Sequence, residues 1–408
     1  MTKNGVAFAV VVGCLVLLAA ARPVRAQCAY GDYEILYAQT ISGTSNLFDT
    51  CRTTSGLQTA NVSASLGVYP ASNSKFTGWT ISSSQFGVVF QAASGHLLEP
   101  YYTSGTGWAY TDLTSATGGT AAISGTPLGS FGDGHGQHVF YVGTDGAVHQ
   151  MLYNGSWQEQ TLSSASSVAS GSQLASYEYN SIEFVVYQGT NGDVDELSFN
   201  GSSWTDANLT TATGGELPTN GTAFTGVDSI SPNGAQLLYF VGADGNIHEY
   251  SDTSSGWSDH AVVVSGAPAP APNTRLIFFE APTTLGQYTY FVSYVGGAIT
   301  NDGGNGYGIF ADFRAYNTYS WDAYDVITQG GAANPPAINV TLGGVSIGIP
   351  DYVYFSGNQA GSTPPPSVTL LIPSSGVWHA TSSTLLSSYD VPEGTVVVPL
   401  ASFQWTGS

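Results

Sequence analysis

Positive charge is scarce in this sequence. Seven Lys and Arg stand against 28 Asp and Glu in 408 residues, a formal net charge of −21. Three of the seven lie within the first 25 residues, which leaves Arg52, Lys75, Arg275 and Arg314 for everything that follows. Binding to a phosphate backbone requires a basic patch, so nucleic acid is excluded as a partner. An anionic membrane surface is disfavoured for the same reason. The acidic excess suits a soluble protein whose copies repel one another.

Long apolar runs are missing too, with one exception at the start, "MTKNGVAFAVVVGCLVLLAAARPVRA". Lys3, an apolar stretch from Val6 to Ala21 and the small residues Val24 and Ala26 predict a secretory signal peptide over 1–26, cut between Ala26 and Gln27. The stretch is too short to favour a membrane span. The expected location is therefore secreted and extracellular, or periplasmic in a Gram-negative host, with 27–408 forming one domain. Cysteine is rare as well, three in all. Cys14 departs with the leader, and in an oxidising compartment Cys28 and Cys51 are expected to form one disulfide.

Helical periodicity is almost absent. Short β-branched and aromatic runs such as "HVFYV", "EFVVYQ" and "QLLYFV" are bounded by turn residues and read as strands. Ser94-Gly95, Asp145-Gly146, Asn191-Gly192 and Asp244-Gly245 each fall between two such runs and predict hairpins. These turns recur 51, 46 and 53 residues apart. After each second strand and a small polar turn comes a tryptophan: Trp108, Trp157, Trp204 and Trp257. A polar segment follows ("DLTSATGG", "TLSSASS", "NLTTATGG"), then a short apolar strand. Four strands at this period form one propeller blade. Weaker copies can be placed around 33–63, around Trp321 and around Trp378. The fold expected is all-β, a seven-bladed β-propeller of four-stranded blades. The chain opens without a blade's first strand and ends on a spare one, so 398–405 is expected to pair with 33–38 and close the ring.

The order of strand, Asp-Gly turn, Glu-bearing strand and Trp resembles the fucose-binding propeller lectins of bacteria and fungi, nearest in blade count to their seven-bladed bacterial branch. The resemblance implies sugar sites between adjacent blades. The family Glu falls on Glu99, Gln150, Glu196 and Glu249, and the family Trp on Trp108, Trp157, Trp204 and Trp257. The family Arg does not carry over: Gly87, His138, Phe184 and Leu237 occupy its place.

The residues themselves leave more than one reading open. On period-2 strands Glu99 shares a face with Leu97 and Tyr101, Glu196 with Val194, and Glu249 with Ile247. A carboxylate on an apolar face must reach water or accept hydrogen bonds from indole, hydroxyl or backbone donors. Each Trp either covers a sugar or packs between blades. His135 and His138, in "DGHGQH", lack an evident third ligand, so neither a metal nor a cofactor is expected. The functional expectation is a multivalent carbohydrate-binding protein, its partners glycans of fucosylated or related type. The alternatives are a noncatalytic scaffold or protein-binding propeller, and a propeller glycosidase. Against the last, the sialidase box and the GxSxG and HExxH motifs are absent. Repetition also favours binding, because several weak sites gain avidity on a clustered surface.

Overall fold

The computed structural model describes residues 34–263, with breaks at 54–55, 83–84, 229–235 and 254. Beyond these it describes isolated positions up to Leu276 and strand segments up to Val397. The leader, its cleavage site, Cys28 and Trp321 lie outside the described residues, as does the side chain of Cys51. Among the described residues no helix is long and apolar enough to cross a membrane.

The strands sort into four-stranded antiparallel sheets. The first sheet holds β1 (Glu34–Ile41), β2 (Thr44–Thr53) and β3 (Gly56–Asn61). The second runs β4 (Phe76–Ser82), β5 (Gln85–Gln91), β6 (Leu97–Thr103) and β7 (Gly107–Asp112). The third is β8 (Leu128–Gly132), β9 (Gln137–Val142), β10 (Val148–Tyr153) and β11 (Trp157–Thr161). The fourth is β12 (Ala175–Tyr179), β13 (Ile182–Gln188), β14 (Val194–Phe199) and β15 (Trp204–Asn208). The fifth is β16 (Thr225–Asp228), β17 (Gln236–Val241), β18 (Ile247–Thr253) and β19 (Gly256–Val262). Two further sheets follow. One comprises β20 (Ile277–Pro282), β21 (Tyr288–Ile299), β22 (Gly306–Ala315) and β23 (Asp322–Asp325). The other comprises β24 (Leu342–Val345), β25 (Tyr352–Ser356), β26 (Val368–Ser374) and β27 (Val377–Ala380). A last short strand, β28 (Val396–Val397), joins the edge of the first sheet, with Tyr37 opposite Val397 and Ala38 opposite Val396. The segment expected in that place, 398–405, lies outside the described residues.

Successive sheets touch through their first strands: β4 lies against β8, β8 against β12, β12 against β16 and β16 against β20. Apolar side chains fill the spaces between consecutive sheets. Trp79, Val89 and Leu97 of the second sheet pack with Val139, Tyr141 and Met151 of the third. Phe140 and Val142 of the third pack with Val185, Tyr187 and Leu197 of the fourth.

The hairpins form at the expected dipeptides, with positive φ on the glycine alone: +86° at Gly95, +75° at Gly146, +90° at Gly192 and +84° at Gly245. In the third sheet Gly146 N–H donates to the Gly143 carbonyl at 2.9 Å, and the Asp145 carboxylate accepts from Ala147 N at 3.0 Å. This is a turn closed by a left-handed glycine, one of the standard hairpin solutions.

Among the described residues, three single-turn helices were not legible in the sequence. They are α1 (Val62–Leu66), α2 (Leu113–Thr117) and α3 (Leu209–Thr213), capped by Asn61, Asp112 and Asn208 and ended by left-handed Gly67, Gly118 and Gly214. Five residues are too few to write a 3.6-residue period, but side-chain caps and terminal glycines suffice to hold one turn. Each helix carries a hydroxyl that accepts a backbone N–H from a strand of its own sheet, the opening residue of that strand in the case of α2 and α3. Ser63, Thr114 and Thr210 take Leu47, Leu97 and Val194 at 2.8, 3.0 and 2.9 Å. Ser163 does the same for Val148 at 2.8 Å without a helix.

A second set of hydroxyls ties the loop before each first strand to the end of the second. Ser74, Thr126, Ser172 and Thr222 accept from Gln91, Val142, Gln188 and Val241 at 2.8, 2.9, 2.8 and 3.1 Å. Thr126 is fully buried. Thr126→Val keeps its shape and orphans the Val142 N–H, a loss of about 1–3 kcal/mol. The expected result is a lower urea midpoint at unchanged slope, and an unaltered midpoint counts against the tie.

Candidate functional site

Register fixes which way each candidate residue points, because directly paired residues share a face and neighbours along a strand do not. In the fourth sheet Phe199 pairs with both Glu183 and Trp204, so Glu183, Phe199 and Trp204 form one rung on one face. Trp204 packs on the cluster that contains Phe140 of the third sheet, at 6.1 Å between ring centroids. That face therefore looks back at the preceding sheet. Glu196, opposite Val186 and Ala207, looks forward to the next one.

The same division recurs. Trp108 packs with Leu36, Ala38 and Leu47 of the first sheet, Trp157 with Trp79 and Val89 of the second, and Trp257 with Phe184 and Val186 of the fourth. The aligned Glu and Trp of one repeat consequently lie on opposite faces of their sheet. The pairings Glu99 with Trp108, Glu196 with Trp204, and Glu249 with Trp257 do not share a cleft. The interface between consecutive sheets instead combines the acidic or amide residue of one sheet with the Trp of the next: Glu99 with Trp157, Gln150 with Trp204, and Glu196 with Trp257.

Each Trp stands on a rung that begins with a residue the sequence reading did not single out. The rungs are Gln137–Tyr153–Trp157, Glu183–Phe199–Trp204 and Gln236–Asp252–Trp257. The signal was present, since Gln137, Glu183 and Gln236 each lie eight residues before the turn residue. Two of them reach across. Gln236 donates to Glu196 at 2.6 Å and to the Tyr177 hydroxyl at 2.6 Å. Gln150 donates to Glu183 at 3.1 Å. The amide and the carboxylate have exchanged sides between these two interfaces: where Gln150 stands in place of the family Glu, Glu183 of the facing sheet brings the carboxylate.

His138, at the place of the family Arg, stacks on Phe131 with centroids 4.7 Å apart. Its Nδ1 lies 2.8 Å from Gln150 Nε2, and Gln160 donates to the Gln150 carbonyl. Glu99, Gln150, Glu196 and Glu249 are all buried, while the four Trp are half-buried. The indole nitrogens of Trp108 and Trp204 are buried without an acceptor, so packing holds those rings. The carboxylates are satisfied by neutral donors: Thr111 for Glu99, Gln236 and Tyr177 for Glu196, and the Tyr239 hydroxyl at 2.6 Å for Glu249. Burial pushes Glu99 up to about 8 against the pull of Thr111. Burial likewise pushes Glu196 up to about 8, partly countered by Gln236.

On the backward-looking face, His149 bridges Asp145 and Glu159, and His248 bridges Asp244 and Asp259. Asp195 replaces that histidine in the fourth sheet, where burial and then Asp206 and Asp193 push it up to about 6. These histidines serve hydrogen bonding between strands.

With a folded value near 8 against an ordinary 4.5, Glu99 keeps in the folded state a proton that the unfolded chain releases between those values. Stability therefore falls as pH rises through that window and levels off above it. At about 1.4 kcal/mol per pKa unit, the effect is several kcal/mol. Glu99→Gln should melt higher than the parent at pH 8.5 and coincide with it at pH 4. A melting difference that is the same at both pH values would sink this assignment.

Residues 57–187 match the family of fungal fucose-specific lectins. Among solved structures, a lectin of Burkholderia pseudomallei superposes with a TM-score of 0.60 at 14% identity, covering 86% of this chain and 94% of its own. A protein of Arthrobotrys oligospora superposes at 0.53 and 16%, covering 81% and 90%. The lectin of Aleuria aurantia, described as a six-bladed β-propeller with a fucose recognition mode, superposes at 0.50 and 17%, covering 80% and 98%. At these identities the likeness is one of fold, and it bears out the resemblance read from the repeat. No curated protein matches the chain.

Proposed function

We propose that the protein is a secreted, noncatalytic, multivalent lectin. Its sheets are the blades of one seven-bladed propeller over 27–408, and its sugar sites lie in the clefts between blades. The observation that carries the reading is the match of 57–187, from the third strand of the first sheet into the fourth sheet, to fucose-specific lectins. The clefts have suitable chemistry: a half-buried Trp from one sheet opposes a hydrogen-bonding group from its neighbour. A sugar presents an apolar face to the ring and hydroxyls to the polar wall. Fucosylated or related glycans are the expected partners. Secretion rests on the leader at 1–26, and the Cys28–Cys51 disulfide on the compartment that the leader implies.

The first test is a glycan array followed by calorimetric titration with α-methyl fucoside. The expected result is retention of fucosylated glycans and several weak sites per chain. Trp157→Ala should lower the number of titratable sites, since a stacked ring contributes on the order of 1–2 kcal/mol. If Trp157 is purely a packing residue, the same change costs about 3–5 kcal/mol of stability and leaves stoichiometry intact.

A second reading, a scaffold without sugar sites, is favoured by one observation: Glu196 and Glu249 are buried and already hydrogen-bonded. An array that retains no glycan decides for it.

Ring closure is proposed on two contacts: β28 pairs with β1 of the first sheet, and it also touches β25 of the last. Removing residues 396–408 should then abolish secretion of folded protein or lower its melting temperature by many degrees. Unchanged melting would show that the ring does not depend on this strand.

A further inference from the structure

The hairpin between β8 and β9 reads Asp133-Gly134-His135-Gly136, and the aspartate carboxylate organises it. Its Oδ1 accepts the N–H groups of His135 and Gly136 at 2.7 and 2.9 Å, while Oδ2 lies 3.0 Å from His135 Nδ1. Glu183 arrives from the neighbouring sheet, just after the two-residue turn at Asn180-Ser181, where both residues have positive φ. One ligand atom from each of Asp133, His135 and Glu183 lies within 4.8 Å of the others. Bonds of 2.0–2.2 Å in tetrahedral geometry set ligand atoms roughly 3.3 Å apart, so small side-chain rotations complete such a set.

What stands behind the three residues is more specific. His138 is fully buried and meets both carboxylates, with Nε2 3.0 Å from Asp133 Oδ1 and Nδ1 3.2 Å from Glu183 Oε2. Gln150 donates to Glu183 from the other side at 3.1 Å. Two carboxylates, with side chains 2% and 4% exposed, thus converge on the His138 ring. A divalent cation held among them offsets both buried carboxylates at once. The buried His138 then plays the part of the outer residue that orients carboxylate ligands. His135, with 56% of its side chain exposed, leaves one side of the set open to solvent.

We propose that Asp133, His135 and Glu183 form a binding site for a divalent first-row transition-metal ion, with His138 as its positioning residue, that staples two adjacent sheets at their hairpin ends. One nitrogen and two oxygen donors fit zinc, cobalt or manganese better than calcium, which takes six to eight oxygens. The sequence contained half of this site, but in the wrong grouping. Of the His-x-x-His pair, only His135 is a ligand, and the missing ligands come from two residues upstream and from the next repeat.

The test uses the full secreted chain, stripped with a chelator and studied without sugar, so that its outcome is independent of the lectin reading. Cobalt(II) titration followed by visible absorption, then displacement by zinc, should give one site per chain and a metal-dependent rise in melting temperature. His135→Ala, at an exposed position that does not endanger folding, should weaken binding at least tenfold. Glu183→Gln should do the same, and His138→Gln should weaken binding 10- to 100-fold. His96→Ala, in the separate His96–Asp112 pair of the second sheet, should change nothing. No cobalt spectrum at millimolar metal, or affinity undiminished in His135→Ala, overturns the proposal, as does loss of the site in His96→Ala.

Discussion

A sheet that lies between two others in this protein has to be complementary to two different neighbours, and strand alternation is what makes that possible. One set of residues along each strand looks back and the other looks forward. On the backward face of the fourth sheet stand Glu183, Phe199 and Trp204; on its forward face stands Glu196. A one-residue slip in any strand would exchange these sets and leave both interfaces mismatched. The repeated hydroxyl ties from Ser74, Thr126, Ser172 and Thr222 oppose that slip, because each accepts one particular strand N–H.

The shortage of Lys and Arg shapes what the interfaces contain. So few ammonium and guanidinium groups cannot offset every buried carboxylate, and a buried carboxylate without a partner is strongly disfavoured. The interfaces answer with uncharged donors, amides at Gln150 and Gln236 and hydroxyls at Tyr177, Tyr239 and Thr111, while His138, His149 and His248 set their rings against other carboxylates. A buried carboxylate held by uncharged donors prefers to keep its proton, as Glu99 and Glu196 do.

Much of the fold could be read from the repeat, since turn dipeptides and tryptophans mark strands directly. The three small helices could not, because a single turn leaves no periodicity behind. The site was half legible. Period-2 reasoning placed Glu196 on a face, but it could not say that Trp204, across a hairpin, belonged to the other one. That answer depends on the Phe199–Trp204 pairing, and so on loop length as well as alternation. Nor could a scan within one repeat reveal Glu183 as the partner of Gln150, because the two come from consecutive repeats and meet only when sheets stack.

The helix caps also bear on sugar chains attached to the protein itself. Asn61 and Asn208 each begin an Asn-x-Ser/Thr sequon, as do the exposed Asn154, Asn200 and Asn220. The two caps are occupied: Asn208 accepts from Thr211 N at 2.7 Å and donates to Asp193 at 2.6 Å, and Asn61 accepts from Ala64 N at 2.9 Å and donates to Asn46 at 3.2 Å. An oligosaccharide transferase needs that side-chain nitrogen free, so at these two positions modification competes with folding itself, whereas the turn asparagines stay accessible afterwards. In a glycosylating host, occupancy by glycopeptide mass spectrometry would then record the order of events: high occupancy at Asn61 and Asn208 means the transferase arrived before the caps closed.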